Sequence, residues 1–186
     1  MGFKDKFKDF QEIVVNKNIL LRQVNPEKDL QAYNEIYTDK DVFQYYESGS
    51  VKDIEHLKIV LNNQLKETKT GRIYNWTIED RKKDFAIGRI LLSDFKHNNT
   101  IANIGYFLNR KYWNKGIMTS CVKSVVEFGF KYLELERIYS TVMIDNVGSW
   151  KVLEKNGFLR EGILRKWFWK NDKNNDCYMY SKLNTD

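Results

Sequence analysis

The spacing of apolar residues alternates between helical and strand periods along this chain. Residues 1–18 place four apolar side chains at helical spacing and predict a short amphipathic arm packed on the body, built on Phe3, Phe7, Phe10 and Val14. The segment ILLRQV (19–24) has the composition of a strand, and Asn25-Pro26 is typical of a helix cap followed by proline, which predicts a helix to about Tyr37. Ser50 and Asp53 resemble a capping box before a second helix that stops near Gly71.

The middle of the chain alternates with a period of two. Three strands are predicted over 72–80, 84–95 and 100–109, and the turns RKKD and KHNN between them favour an antiparallel meander. A helix (117–133), a strand (137–144), a short helix (145–158) closed by Gly157, and two aromatic strands (163–170 and 177–183) follow. The pattern contains no repeat and no linker, so we expect one α/β domain over 1–186, with 1–18 as its arm.

Composition excludes several classes of protein. Apolar residues make up 42% of the 186 and no apolar run approaches the length of a membrane span, so a globular protein without a membrane segment is expected. Two distant cysteines and no histidine cluster argue against a metal site and for the cytoplasm. The net charge of +6 is spread along the chain, which suits an anionic small molecule better than a nucleic acid.

The stretch KYWNKGIMTS (111–120) places a glycine where an amphipathic helix begins. Glycine costs about 1 kcal/mol relative to alanine in a helix, so its presence needs a reason. One reading is an anion site, in which unpaired backbone N–H groups and the helix dipole face a phosphate, formed by Asn114, Lys115, Gly116, Ile117, Met118 and Thr119. The other is a tight turn that needs a positive φ.

A second stretch, NVGSWKVLEKNGF (146–158), decides between these readings. Together with IGYFLNRKYWNKGIMT (104–119) it resembles the GNAT superfamily of acetyl-CoA-dependent N-acetyltransferases, and most of all the branch that acetylates the N-termini of ribosomal proteins. The likeness runs from about Ile19 to Leu183. The family's pyrophosphate motif Q/R-x-x-G-x-G/A falls on 113–118, where Trp113 and Met118 depart from it.

The resemblance implies a fold and a binding mode. The fold is a mostly antiparallel central sheet, flanked by helices and splayed at the cofactor site. Acetyl-CoA would be the co-substrate, with no metal, and its pantetheine arm would pair with backbone groups of Tyr106, Phe107 and Leu108 while Asn146 lies beside it. An amine would then attack the thioester carbonyl directly, which requires a neutral amine and a proton for the departing thiolate.

The family's usual acid is missing here. The matching position is Leu153, so the resemblance points to Ser149 as hydrogen-bond partner or proton donor to the thiolate. Two alternatives stay open. Ser149 could simply be a cap or first-turn residue of its helix, and the thiolate could leave with help only from water and the helix end.

The base is left unassigned. Many relatives have a glutamate where this chain has Asn103, which cannot take a proton but can hold water or substrate. Glu47, Glu79 and Glu161 are possible bases, and an amine that arrives partly deprotonated needs none. For the acceptor side, Tyr45 and Tyr46 are expected to bind substrate, whereas the aromatic segment 167–169 could line the pocket or only pack.

The leading interpretation is an acetyltransferase of a protein or peptide N-terminal α-amine, of the ribosomal-protein type, acting as a monomer or homodimer. The alternatives are acetylation of a small amine, such as a polyamine, an aminoglycoside-like drug or a toxic peptide, and a binding module without turnover. An acidic groove would favour a polyamine or a drug as the acceptor. The acids that the sequence offers near the predicted groove are Asp39, Asp41, Glu47 and Asp53.

Overall fold

The computed structural model describes residues 2–46 and 51–186, which form an eight-stranded sheet with helices on both faces. The strands follow the order β1-β2-β3-β4-β5-β6-β8-β7, and every neighbouring pair is antiparallel except β5 and β6. Their bounds are β1 Ile13–Asn16, β2 Ile19–Arg22, β3 Tyr74–Asp80, β4 Phe85–Lys96, β5 Ile101–Leu108, β6 Arg137–Met143, β7 Leu159–Lys170 and β8 Lys173–Leu183.

The helices cover the sheet in two groups. Their bounds are α1 Leu30–Thr38, α2 Lys40–Phe43, α3 Ile54–Lys69, α4 Ile117–Lys131 and α5 Val147–Lys155, with 3₁₀ turns at Phe3–Phe7 and Arg110–Tyr112. One core cluster joins α4 to the sheet around Trp76 and Ile104, and a second joins α1 and α3 around Tyr33 and Leu57. Among the residues described, no helix is long and apolar enough to cross a membrane.

The N-terminal arm differs from its prediction. Only Phe3–Phe7 is helical, as a 3₁₀ turn, and Ile13–Asn16 is a strand paired with β2. The phenylalanines nevertheless reach the core: the ring of Phe7 is 5.0 Å from that of Tyr74, and Phe10 stacks on the same ring at 5.1 Å. The prediction of a helix through Val14 was wrong because pairing with β2, a tertiary contact, overrides apolar spacing in so short a segment.

The start of α1 also lies later than predicted. Asn25 does accept two backbone N–H groups, from Glu27 and Lys28 at 3.1 Å, but the segment it caps is a turn and the helix begins at Leu30. Asp29, just before the helix, is bound by Arg22 through two hydrogen bonds of 2.8 and 2.6 Å. The predicted capping box falls partly on Ser50, which lies outside the described residues; Asp53 caps α3 by accepting the His56 N–H at 2.7 Å.

The sheet opens between its two parallel strands. β5 and β6 pair only from Ile101 with Arg137 to Asn103 with Tyr139, and the remaining residues of the two strands diverge. The expectation of a mostly antiparallel sheet that splays at this position, with helices on its faces, is confirmed. The opening leaves backbone groups of β5 without a strand partner on one side and creates space at the centre of the protein.

Candidate functional site

Gly116 is the N-cap of α4 and has a left-handed backbone, with φ +71° and ψ 1°. The first helical hydrogen bond runs from the Ser120 N–H to the Gly116 carbonyl at 3.1 Å. Within the described chain, no protein acceptor binds the N–H groups of residues 114–119. A Cβ added at Gly116 would have no atom within 4 Å, so the space above the helix end is open. Gly116 therefore supplies the turn, and it also lies beside backbone donors without a protein acceptor, so the two readings of this glycine are compatible.

The loop before Gly116 is held by its own side chains. Asn114 also has a positive φ of 57°. The Lys115 ammonium folds back onto the Lys111 carbonyl at 2.8 Å, and the Trp113 indole N–H donates to the Leu108 carbonyl at 2.7 Å. The Leu108 carbonyl is thus already bonded, and β4 pairs with the other edge of β5, so a ligand arm would have only those backbone groups of residues 106–108 that face the opening. Six backbone N–H groups without a protein acceptor in the described chain, together with the open space at Gly116, fit an anionic pyrophosphate.

A cavity of about 380 Å³ occupies the opening between β5 and β6. Five residues that the sequence analysis singled out line this cavity: Ser149, Tyr45, Tyr46, Asn103 and Asn146. Tyr106, from the strand expected to hold the cofactor arm, lines it as well. Its lining in the described part of the chain contains no charged side chain and consists of Tyr45, Tyr46, Asn103, Ile104, Gly105, Tyr106, Ser140, Thr141, Val142, Asn146, Ser149 and Phe168. Residues 114–119 lie outside this lining, at the start of α4.

Ser149 lies in the first turn of α5 and faces this cavity. Asn146 is the cap of the helix, because its side-chain oxygen accepts the Ser149 N–H at 3.2 Å. In the described chain the Ser149 hydroxyl accepts no backbone N–H, and it lies 3.1 Å from the hydroxyl of Tyr106. The reading of Ser149 as a capping residue is therefore replaced: Asn146 does the capping, and the serine hydroxyl is left for the cavity.

Sequence reasoning missed the side chain of Tyr106, for which only backbone groups had been considered. Its hydroxyl is 3.1 Å from both the Ser149 carbonyl and the Ser149 hydroxyl, across the opening in the sheet. Burial raises the pKa of Tyr106 far above that of a free tyrosine, so the phenol keeps its proton at neutral pH. Alternation along β5 places Tyr106 on the same face as Ile104, but no sequence signal links it to a helix 43 residues away.

Tyr45 and Tyr46, which follow α2, line one side of the cavity. The Tyr45 hydroxyl donates to the Asp145 carbonyl at 3.0 Å, and Lys170 of β7 donates to the Tyr46 carbonyl at 2.6 Å. Of the three aromatic residues of β7, only Phe168 lines the cavity. Trp167 and Trp169 are 60% and 55% exposed, so neither of the two possibilities left open for the segment, lining the pocket or packing, describes these two side chains.

Asn103 lies where the two parallel strands separate. Its side-chain nitrogen donates to the Tyr139 carbonyl at 3.4 Å, which leaves the amide oxygen toward the cavity as an acceptor. Leu153, at the position of the family acid, is fully buried in the core. Neither position therefore supplies a proton donor or a base.

Two of the three candidate bases are engaged elsewhere. Glu79 is buried between Arg22 and Lys28, and Glu161 binds Arg137 through both of its oxygens. Neither lines the cavity, and Glu47 falls outside the described residues. Among the groups of the described chain, no cluster of metal-ligating side chains is present.

The Glu161–Arg137 pair gives a testable dependence of stability on pH. Hydrogen bonds from Arg137 lower the pKa of Glu161 from its ordinary value of 4.5 to about 2. Because the folded pKa is the lower one, the pair stabilises the fold above pH 4.5 and this contribution is lost as the pH falls to 2. Since the carboxylate is half-exposed, we expect Glu161→Gln to lower the free energy of unfolding at pH 7 by about 1 kcal/mol or less.

Urea unfolding at pH 7 and near pH 2.5 checks this expectation. Wild type and Glu161→Gln should differ at the higher pH and converge at the lower one. Glu127→Gln is the control, since Glu127 forms no ion pair in the described chain. A difference between wild type and Glu161→Gln that persists unchanged at pH 2.5 would contradict the assignment.

Comparison with known proteins gives a family match. The family model described as an acetyltransferase (GNAT) domain matches residues 18–159. The uncharacterized N-acetyltransferase YnaD of Bacillus subtilis is 30% identical over 170 residues, which cover 91% of this chain and 96% of that protein. The solved structure of the microcin C7 self-immunity acetyltransferase MccE, in complex with acetyl-CoA and AMP, superposes with a TM-score of 0.84 at 24% identity and covers 92% of this chain and 95% of that one.

Two further relatives differ in the acceptors that their names state. The ribosomal-protein-serine acetyltransferase of Escherichia coli is 29% identical over 102 residues, or 55% of this chain and 57% of that enzyme. The spermidine N(1)-acetyltransferase of Vibrio cholerae is 21% identical over 162 residues, or 87% of this chain and 91% of that enzyme. The relatives thus agree on acetyl transfer and leave the acceptor open.

Proposed function

The chain belongs to the GNAT acetyltransferases, and from that premise we propose that it acetylates the α-amine at the N-terminus of a peptide or protein. The observation behind this choice of acceptor is the uncharged cavity, whose lining in the described chain offers hydroxyls and amides but no carboxylate. Where the described lining supplies no base, acceptor amines that are already neutral are favoured.

The ionisation of amines makes this argument quantitative. An α-amine has a pKa of about 7.7–8.0, so roughly a quarter of it or more is neutral at pH 7.5, whereas a lysine-type amine of pKa about 10.4 is neutral to only about one part in a thousand. Acceptors with a low pKa therefore reach the reactive form without help from the protein. Asn103, which offers an amide oxygen, suits a role in holding the amine or a water beside it.

The cofactor half of the site fits acetyl-CoA. The N–H groups of residues 114–119 and the open space at Gly116 would hold the pyrophosphate, and the backbone of 106–108 would hold the pantetheine arm. When bound, acetyl-CoA supplies an activated thioester carbonyl. Asn146 fixes the first turn of α5, and Ser149 would then donate its hydroxyl proton toward the departing sulfur.

The polyamine alternative depends on acidic groups that are engaged in this structure. Arg110 bonds Asp39 at 2.9 Å and Asp41 at 3.0 Å, and Asp53 caps α3. Glu47 lies outside the described residues, so it enters the experiment as a variant. An extended polycation would have to displace Arg110 from both aspartates, at a cost in hydrogen bonds and charge pairing.

Release of the CoA thiol from acetyl-CoA tests the proposal. The acceptors are short peptides with free N-terminal serine or alanine, spermidine, and an aminoglycoside, each at pH 7.5, with wild type and Glu47→Gln. We expect kcat/KM for the peptides to exceed that for spermidine by at least about tenfold, from the difference in neutral amine. A preference for spermidine that Glu47→Gln removes would support the small-amine alternative. Binding of acetyl-CoA without turnover on any acceptor would support a non-catalytic module.

A further inference from the structure

The hydroxyl groups of Tyr106 and Ser149 form a pair within the cavity. Tyr106 reaches across the opening from β5, and its oxygen lies 3.1 Å from the Ser149 carbonyl and 3.1 Å from the Ser149 hydroxyl. Asn146 holds the Ser149 N–H from the other side. Both residues line the same cavity, so the contact between their hydroxyls lies within the candidate site.

Counting donors and acceptors shows what the pair can do. Tyr106 has one proton to donate, and both of its neighbours on Ser149 can accept it. When Tyr106 donates its proton to the Ser149 hydroxyl oxygen, the Ser149 hydroxyl is the acceptor in that bond. The Ser149 hydroxyl proton then points to a partner other than Tyr106. The partner then lies in the cavity, since Ser149 caps no backbone group of its own helix.

We infer that Tyr106 is a positioning residue, which aims the Ser149 hydroxyl proton into the cavity and replaces that proton when Ser149 gives it to the departing sulfur. The inference rests on the proposed function and deepens it. It accounts for one departure from the family pattern, because a relay of two hydroxyls would serve where the usual acid is replaced by the buried Leu153.

The proton balance of the step is closed. As the C–N bond forms and the C–S bond breaks, the acceptor nitrogen loses one proton to water and the sulfur gains one from Ser149. Ser149 takes the proton of Tyr106, and Tyr106 takes one from water. A free thiol has a pKa of about 8.5 and is more acidic than either hydroxyl. A thiolate therefore cannot take a proton and leave an ionised oxygen behind. For this reason a proton enters at Tyr106 as another leaves Ser149.

The test compares thiol release by wild type, Tyr106→Phe, Ser149→Ala and the double variant. Each is measured with the fastest acceptor found and also without acceptor, where water replaces the amine and the sulfur departs in the same way. Tyr106→Phe should lower kcat by about 10- to 100-fold and leave KM for acetyl-CoA within about twofold, as expected for loss of a proton-transfer partner. The double variant should be no slower than Ser149→Ala, because Tyr106 acts through Ser149.

A solvent isotope measurement separates a relay from a structural role. In mixtures of H₂O and D₂O, kcat of the wild type should vary as for more moving protons than kcat of Tyr106→Phe, which has lost the transfer from the tyrosine. Tyr180→Phe is the matched control: its hydroxyl bonds Glu154 of the same helix at 2.8 Å but lies away from the cavity, and its kcat should stay within about twofold of wild type.

Three results would overturn the inference. They are wild-type rates for Tyr106→Phe under both conditions, a double variant clearly slower than Ser149→Ala, and a wild type that releases no thiol above buffer under either condition. Failure of the peptides alone would refute only the proposed acceptor, since thiol release to another amine or to water still reports on the pair.

Discussion

Replacing Gly116 by aspartate is expected to lower the affinity for acetyl-CoA by at least about 100-fold, because two unit charges about 4 Å apart near a protein surface repel by about 4 kcal/mol. The carboxylate would enter the open space above the start of α4, where the N–H groups of residues 114–119 face the proposed pyrophosphate position. The left-handed backbone, with φ +71°, adds strain for any residue other than glycine. Isothermal titration with acetyl-CoA measures the loss directly.

Two further variants separate charge from strain. Gly116→Ala has the same backbone strain without the charge, and we expect it to bind acetyl-CoA more tightly than Gly116→Asp. Gly71→Asp is matched in backbone, with φ +74°, and a Cβ there would make only ordinary contacts, the nearest at 3.6 Å from the Lys4 side chain. It should lose comparable stability, about 1 kcal/mol, and keep wild-type affinity. Wild-type affinity in Gly116→Asp would refute the pyrophosphate site.

Replacing Ser149 by alanine is expected to lower kcat by about 100-fold, within the range for removal of a proton donor. The helix should be unaffected, because Asn146 rather than Ser149 caps α5. Affinity for acetyl-CoA should change little, since the proposed binding groups are backbone N–H groups at the start of α4 and backbone groups of β5. The measurements are steady-state thiol release, titration with acetyl-CoA, and thermal unfolding.

Ser140→Ala serves as the control for Ser149→Ala. Ser140 is a buried serine that lines the same cavity, but it makes no side-chain hydrogen bond to Tyr106 in the described chain. A fall in kcat confined to Ser149→Ala supports the proton donor. Full turnover by Ser149→Ala would mean that the thiolate leaves with help only from water and the helix end.

Apolar spacing predicted the larger elements closely because it reports directly on burial. The helix expected over 117–133 is observed as Ile117–Lys131, and the strand expected over 137–144 as Arg137–Met143. The N-terminal arm failed for the opposite reason. Its strand, Ile13–Asn16, exists only through pairing with β2, and four residues contain too little periodicity to reveal a partner.

In the candidate site, too, features set by neighbouring residues could be predicted and contacts between distant segments could not. Gly116 stood out because a glycine at a helix start is a local signature, and the family resemblance pointed to Asn146, which the structure shows as the cap of α5. The Tyr106–Ser149 pair could not, because its geometry depends on how far β5 and β6 diverge and on where α5 returns to the sheet. The pairing of Arg110 with Asp39 and Asp41, two of the four acids considered for an acidic groove, was hidden likewise.

The most direct test of acetylation at an N-terminal α-amine uses one peptide with an N-terminal serine and an internal lysine, incubated with protein and acetyl-CoA at pH 7.5. Mass spectrometry locates the acetyl group, and a copy with a formylated N-terminus serves as the control. The account predicts acetylation of the serine α-amine alone and no enzyme-dependent acetylation of the formylated copy. Acetylation of the lysine ε-amine in either peptide, at a rate equal to or above that of the α-amine, would contradict it.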